Sequence, residues 1–355
     1  MRQLSAPLAS LAVIASLALV ACGSGGDSGG AASGGTASAA GAGNEMVFYR
    51  GNGAEPDTLD PHLSGSSWQS ALIGDMLLGL TTDGPDGEAI PGAATHWDIS
   101  DDGLSWTFHL REHQWSDGTP VTADDFVFAF RRILQPEIAS EYAWYLYPIL
   151  NAEAVNGGEM PGTELGVEAP DDRTVVVHLE YPAPYLAEFM KHTAMYPVPK
   201  HVVEAVGAAW SRPQNYVANG PYRLVQWVPN DRVELEKNPL FYDADNVAID
   251  RVYFYPTSDY PAALQRMRAG ELDMQSVLPD IQIDWIRQNM PEAMDLQPTL
   301  SIEYISLNFE REGLDDVRVR EALSLAVDRE TIVDRVRRMG NPAAYSMVPP
   351  GIANY

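Results

Sequence analysis

Few residues in this sequence have the type and spacing to make or break a bond. Ser28 is the most conspicuous, in Gly26-Asp27-Ser28-Gly29-Gly30. That run matches both the G-x-S-x-G pattern of esterases and the nucleophile pattern of serine proteases. Acyl transfer needs such a serine on a strained turn, with a histidine and an aspartate held beside it by a rigid scaffold. Ser28 instead lies in a tract of almost pure Gly, Ala and Ser that runs to Gly43 and can hold nothing in place. The seven histidines are scattered. His109 and His113 are four apart, but across the end of an expected strand, where that spacing does not converge on a metal ion. There is no H-E-x-x-H and no P-loop. The chain is therefore not expected to be an enzyme, and neither a cofactor nor a metal is expected.

The remaining reactive residue is Cys22, the only cysteine, so no intrachain disulfide is possible. Arg2 and the apolar run Leu11–Ala21 precede it. A charged start, an apolar middle and a small-residue cleavage site make residues 1–21 a secretory signal, too short to span a membrane comfortably. Leu19-Val20-Ala21-Cys22 resembles a lipobox, in which the cysteine is lipidated and becomes the mature N-terminus. Residues 22–44 then form a flexible tether with an end-to-end distance of about 25 Å. A lipid anchor on Cys22 and a place in the cell envelope, on the periplasmic side, follow as expectations.

The rest of the chain must supply folded elements. Its 355 residues suffice for more than one lobe, because single cores stop growing near ~250–300 residues. A net charge of −26 repels phosphate backbones and disfavours nucleic-acid partners. Met46–Arg50 reads as a strand and Ser70–Leu80 as a helix. Trp106, Phe108 and Leu110 alternate with Thr107 and His109, the period of a half-buried strand. Thr122 is placed to cap a helix whose first turn holds Asp124 and Asp125. On it Phe126, Phe130, Ile133 and Leu134 face the core, leaving Arg131 and Arg132 to solvent. Strands are expected near 175–179, 223–227, 233–236, 252–255 and 302–308. Helices are expected over 259–269 and from Asp316, with a further one from Asp328 through Arg338. Interleaved strands and helices make the class α/β.

The run Trp97-x-x-Ser100-x-Asp102-Gly103-x-x-Trp106-Thr107-Phe108-x-Leu110-Arg111 leads on to Trp115-Ser116-Asp117-Gly118-Thr119-Pro120. Asn219-Gly220-Pro221-Tyr222, Ala269-Gly270-Glu271-Leu272-Asp273 and Asp316-Val317-Arg318-Val319-Arg320 follow in order. Together these resemble the peptide/nickel family (family 5) of bacterial extracellular solute-binding proteins. Thr58-Leu59-Asp60-Pro61-His62, Leu165-Gly166-Val167 and Pro197-Val198-Pro199-Lys200 are most similar to its oligopeptide-binding lipoproteins, which serve ABC importers.

The resemblance implies a periplasmic-binding-protein type II-like fold: two α/β lobes with mixed sheets and a smaller appended lobe. The anchor lobe would comprise 45–77 and 200–301, the smaller lobe 78–199, and the second ligand-binding lobe would begin at 302. Complete members continue beyond Tyr355, so a C-terminally truncated second lobe (302–355) is expected. The ligands implied are short peptides, held like an added strand in an inter-lobe cleft, and the partners are permease subunits. A monomer is implied. Contacts carried over by position are Gly65, Ser66, Ser67, Tyr142, Ser276, Val277 and Tyr304, although relatives carry other side chains at the positions of Ser276 and Val277. Trp97, Trp106, Trp115, Phe126 and Phe130 read as core. Dipeptides, nickel complexes or murein peptides remain alternative ligands, and a secreted peptide hydrolase or a chemosensing receptor subunit alternative functions.

Overall fold

The structure is a computed structural model that describes residues 45–296 and 301–349. The expected signal, Cys22, Ser28 and the tether lie outside the described residues. The chain opens with β1 (Val47–Gly51), α1 (Ser67–Met76), β2 (Thr81–Asp83), β3 (Ala89–Pro91), β4 (Ala94–Ile99) and β5 (Ser105–Leu110). It continues through α2 (Ala123–Ile133), α3 (Ala152–Asn156), β6 (Val167–Asp171), β7 (Thr174–His178), α4 (Leu186–Met190) and α5 (Lys200–Val206). Next come β8 (Tyr222–Val228), β9 (Arg232–Lys237), β10 (Arg251–Tyr255), α6 (Tyr260–Arg268) and β11 (Met274–Gln275). Helices α7 (Ile283–Asn289) and α8 (Val317–Ala326) follow.

Three sheets form among the described residues. The largest has the order β11-β1-β10-β9-β8 and is mixed: β1 runs parallel to β10 and β11, while β10, β9 and β8 are antiparallel. A four-stranded antiparallel sheet has the order β4-β5-β7-β6, and β2 pairs with β3. The alternation read in the sequence holds on β5, where Trp106, Phe108 and Leu110 are buried. On α2, Phe126, Phe130, Ile133 and Leu134 are all fully buried. Its start is a capping box, in which the Asp125 carboxylate accepts from Thr122 N at 2.9 Å and satisfies an otherwise unpaired N–H. Buried Trp115 packs at this end of the helix.

Two apolar cores result. One draws on residues 73–196 and includes Trp106, Phe108, Trp115 and Phe130, with Trp97 partly buried against it. The other gathers Leu59, Leu72, Met76, Trp210, Leu235 and Phe254, among others.

Several expectations are corrected. Arg132 is buried, not solvated: its guanidinium grips the Asp60 carboxylate with NH1–Oδ1 at 3.0 Å and NH2–Oδ2 at 2.5 Å. A helical stripe predicts apolar burial but not a charge that a distant acid pulls inward. Helix α1 starts at Ser67, earlier than the apolar pattern indicates, because the Ser66 hydroxyl accepts from Gln69 N. It stops at Met76, where Leu77 turns extended. Residues 302–308 form no strand and find no pairing partner among the described residues. Beyond Asp328 the α-helix covers only Arg329–Thr331, and Ile332–Arg337 is a π-turn.

Candidate functional site

Strands β1, β10 and β11 are parallel and end side by side. In open α/β sheets, ligands bind outside the carboxyl ends of such strands. Here that edge carries polar side chains with unspent capacity. The Gln275 amide lies so close over Gly51 that a Cβ there would stand 1.9 Å from Gln275 Oε1 and displace it. Gln275 Oε1 accepts from Thr257 Oγ1 at 2.9 Å, while the buried Nε2 has no partner. Asn52 Nδ2 donates to Trp68 O at 2.8 Å, and Asn52 Oδ1 and Trp68 Nε1 are buried and unpartnered. Buried polar atoms without partners are rare, and three of them gather here.

Next to β1 lies an open cavity of about 400 Å³, within the range of small-molecule sites. Arg50 forms part of its wall, as does the face of α1 carrying Ser67, Ser70, Ala71, Gly74 and Asp75. Thr82 and Asp83 of β2 close one side, and Lys191, His192, Thr193 and Tyr196 another. The lining thus holds two basic and two acidic side chains. Burial pushes the Asp75 carboxyl up to about 6, with Arg50 pulling the other way. Burial likewise lowers His192, against the pull of Asp83, which keeps the imidazole neutral near pH 7. Burial opposes the Lys191 charge, but its hydrogen bonds to Glu188 and Asp83 outweigh this and raise its pKa.

Of the residues carried over from the resemblance, Ser67 lines this cavity. Ser66 is spent on capping α1. Gly65 abuts Glu141, whose Oε2 would lie 2.7 Å from a Cβ at Gly65. The segment 65–67 therefore meets the loop bearing Tyr142. The Tyr142 ring lies 4.4 Å from that of His192, which lines the cavity, and 5.9 Å from that of Tyr145. Ser276 is tied to the strand edge instead, its N and Oγ both donating to Gly51 O at 3.3 and 3.1 Å. Val277 is exposed beside it. Tyr304 is 63% exposed and lines no part of the cavity.

Arg50, Asp75, Asp83, Lys191 and His192 escaped the sequence reading. Asp75 offered the clearest signal, a lone acid amid the apolar run Leu72-Ile73-Gly74-Asp75-Met76-Leu77. Its raised pKa sets a pH test. The fold favours neutral Asp75, so its contribution is fully present below the ordinary carboxylate value and is lost as pH rises through about 6. Asp75→Asn should therefore stabilise the protein at pH 7.5, and the gain should shrink at pH 4.5. Urea melts at the two pH values would show this, and a pH-independent difference would refute it.

The description of the bacterial extracellular solute-binding proteins, family 5, matches residues 88–355. This chain belongs to that family. Among its relatives, the periplasmic oligopeptide-binding protein OppA of Salmonella typhimurium is 40% identical over 86% of this chain and 57% of its own length. The chain thus spans just over half the length of the curated relatives it matches. The crystal structure of Haemophilus influenzae OppA in complex with RPPGFSPFR superposes with a TM-score of 0.83 at 38% identity, covering 86% of this chain and 61% of that one. The Escherichia coli murein tripeptide-binding protein MppA superposes with a TM-score of 0.84 at 32% identity, covering 88% and 61%. The fold of this family 5 chain is periplasmic-binding-protein type II-like, α/β with mixed sheets. Among the described residues, no helix is long and apolar enough to cross a membrane.

Proposed function

We propose that this protein is the solute-binding component of an ABC importer, capturing short peptides between lobes and delivering them to permease subunits. The observation that carries this is the group of buried, unpartnered donors and acceptors on Asn52, Trp68 and Gln275 at the ends of β1 and β11, close in the chain to Arg50 and Ser67 of the open cavity's wall. All peptides share amides, carbonyls and charged ends. Unspent side-chain groups at the ends of β1 and β11 suit the first two, because they can hydrogen-bond the amides and carbonyls of a bound peptide. A lining that holds Arg50 and Asp75, beside the ion pair of Lys191 with Asp83, suits a ligand carrying both charges. A roomy, polar cavity accepts varied side chains through bridging water. The similarity to proteins named for peptide binding supports the same reading.

Within this proposal residues 45–77 and 200–301 form the anchor lobe, 78–199 the smaller lobe, and 302–355 belong to the second ligand-binding lobe. Ligand contacts come from Gly65, Ser66, Ser67, Tyr142, Ser276, Val277 and Tyr304, joined by Arg50 and Asp75. Hinged closure buries the ligand and presents the surface a permease reads. The protein is not an enzyme, acts as a monomer, and is held to the cell envelope through lipid on Cys22.

Calorimetry of the purified protein with a pool of tri- to pentapeptides should give saturable heat, and native mass spectrometry should find the bound peptides intact after long incubation. Tyr142→Ala should weaken binding roughly tenfold by removing a ring that packs on His192 of the cavity wall. No heat from the pool would overturn the reading, and cleaved peptides would favour a hydrolase.

A further inference from the structure

His109 was discounted as a metal ligand because its sequence neighbour, His113, cannot reach the same ion. In the fold, His113 is buried, with Nδ1 3.1 Å from Arg111 O. The fold also gives His109 a different neighbour. Strand β4 carries a bulge between Ala94 and His96, which sets His96 directly opposite His109 on β5. In a regular strand without the bulge, His96 would share the side of buried Ala94, since side chains alternate along a strand. Bulges re-aim side chains in this way. Asp98, two residues on, shares the new face.

We propose that His96, Asp98 and His109 form a binding site for a borderline divalent cation of the Zn²⁺ class on the outer face of the four-stranded sheet. One donor atom from each residue lies within 4.8 Å of the other two. His109 Nε2 and Asp98 Oδ2 are already 2.9 Å apart. Donors bonded at about 2.0–2.1 Å around one tetrahedral ion stand roughly 3.3 Å from each other. Only His96 must swing inward, and it is exposed. Its ring now stacks on His109 with centroids 4.3 Å apart, so ligation exchanges that stack for two metal bonds.

The second shell supports the same assignment. Thr95 Oγ1 donates its single proton to His109 O at 3.1 Å. Toward His96 Nδ1, at 2.9 Å, it can then act only as acceptor. His96 Nδ1 therefore carries the proton, and Nε2 keeps a bare lone pair for a metal. Metal-ligating histidines are held in this manner by a partner on the other ring nitrogen. Two imidazoles and a carboxylate suit zinc, copper and nickel better than calcium or magnesium. Three protein ligands leave at least one position for water.

The test uses the purified, untagged protein with Zn²⁺ alone in calorimetry and Co²⁺ alone in visible spectroscopy. One equivalent of Zn²⁺ should bind, at least tenfold more weakly in His96→Ala and in His109→Ala. The Co²⁺ ligand-field bands should vanish in the double variant. Thr95→Val, which keeps all three ligands, should weaken binding about tenfold. His96 and Asp98 are exposed and His109 is half-buried on the sheet's outer face, so the metal-free variants should melt close to the parent. Two other histidine–carboxylate pairs, His178 with Glu168 and His201 with Asp117, offer only two donors each. Stoichiometric binding that survives loss of both His96 and His109 would belong there and would overturn the proposal, as would no binding at all.

Discussion

Arg132→Ala is expected to destabilise the protein by about 3–5 kcal/mol, the usual consequence of breaking a buried ion pair from one side. Both partners are almost wholly out of solvent, with side chains 8% and 2% exposed for Arg132 and Asp60. The Asp60 carboxylate is fully engaged: the guanidinium binds both oxygens, and Trp210 Nε1 donates to Oδ2 at 3.0 Å. Burial pushes the Asp60 pKa up, but the hydrogen bonds and charge of Arg132 reverse this and hold it below the ordinary value. His62 completes the cluster. Burial drops its pKa to about 3, so the ring is neutral and its Nδ1 can accept from Arg132 NH1 at 2.6 Å. Arg132→Lys should also be costly, since an ammonium cannot reproduce the two-pronged grip. The double variant Asp60→Asn/Arg132→Met should lose less than Arg132→Ala, because it leaves no uncompensated charge. Urea unfolding would measure all three, and a loss below about 1 kcal/mol for Arg132→Ala would refute the account.

That cluster marks where the sequence stops being legible. Periodicity places Phe126, Phe130 and Ile133 on the buried side of α2, because apolar burial is set by the helical repeat alone. It says nothing about Arg132, whose position depends on an acid 72 residues earlier. Strands illustrate the same divide. The alternation in 105–110 reports one buried face and survives in the fold. The apolar run near 302–308 has comparable local character, yet a strand exists only where a second strand supplies hydrogen bonds.

The site was legible to a similar degree. Of the residues that family motifs single out, Ser67 lines the cavity and Tyr142 packs on His192 of its wall, whereas Tyr304 lines no part of it. The charged lining from Arg50, Asp75, Asp83 and Lys191 comes from four separate stretches of chain. No spacing rule unites them, since the cavity exists only once α1, β1 and β2 are assembled. His96 and His109 failed for a subtler reason. Their pairing depends on the bulge in β4, and one residue of register decides which face a side chain takes.

Asn219→Ala should cost about 2–4 kcal/mol, because Asn219 acts as a backbone substitute at a chain crossing. Its Oδ1 accepts from Leu78 N at 2.9 Å and its Nδ2 donates to Leu78 O at 3.1 Å, both buried. Gly220 N then donates to Met76 O at 2.8 Å, and Asn238 Nδ2 donates to Gly220 O at 2.9 Å. These bonds fasten the end of α1, and with it Asp75, to the turn that enters β8. Alanine at 219 leaves both polar groups of Leu78 buried and unpaired. Asp at 219 should not rescue it, since a carboxylate has no proton for Leu78 O. Gly220→Ala attacks the same contact by size: its Cβ would meet Met76 C at 2.7 Å and Leu77 N at 2.9 Å, backbone atoms that cannot rotate away. Overpacking of this kind costs about 1–3 kcal/mol or more. If the crossing positions the cavity wall, all three variants should also weaken peptide binding at temperatures where they remain folded. An Asn219→Ala protein within about 0.5 kcal/mol of the parent in urea, with unchanged peptide affinity, would show that the crossing holds nothing in place.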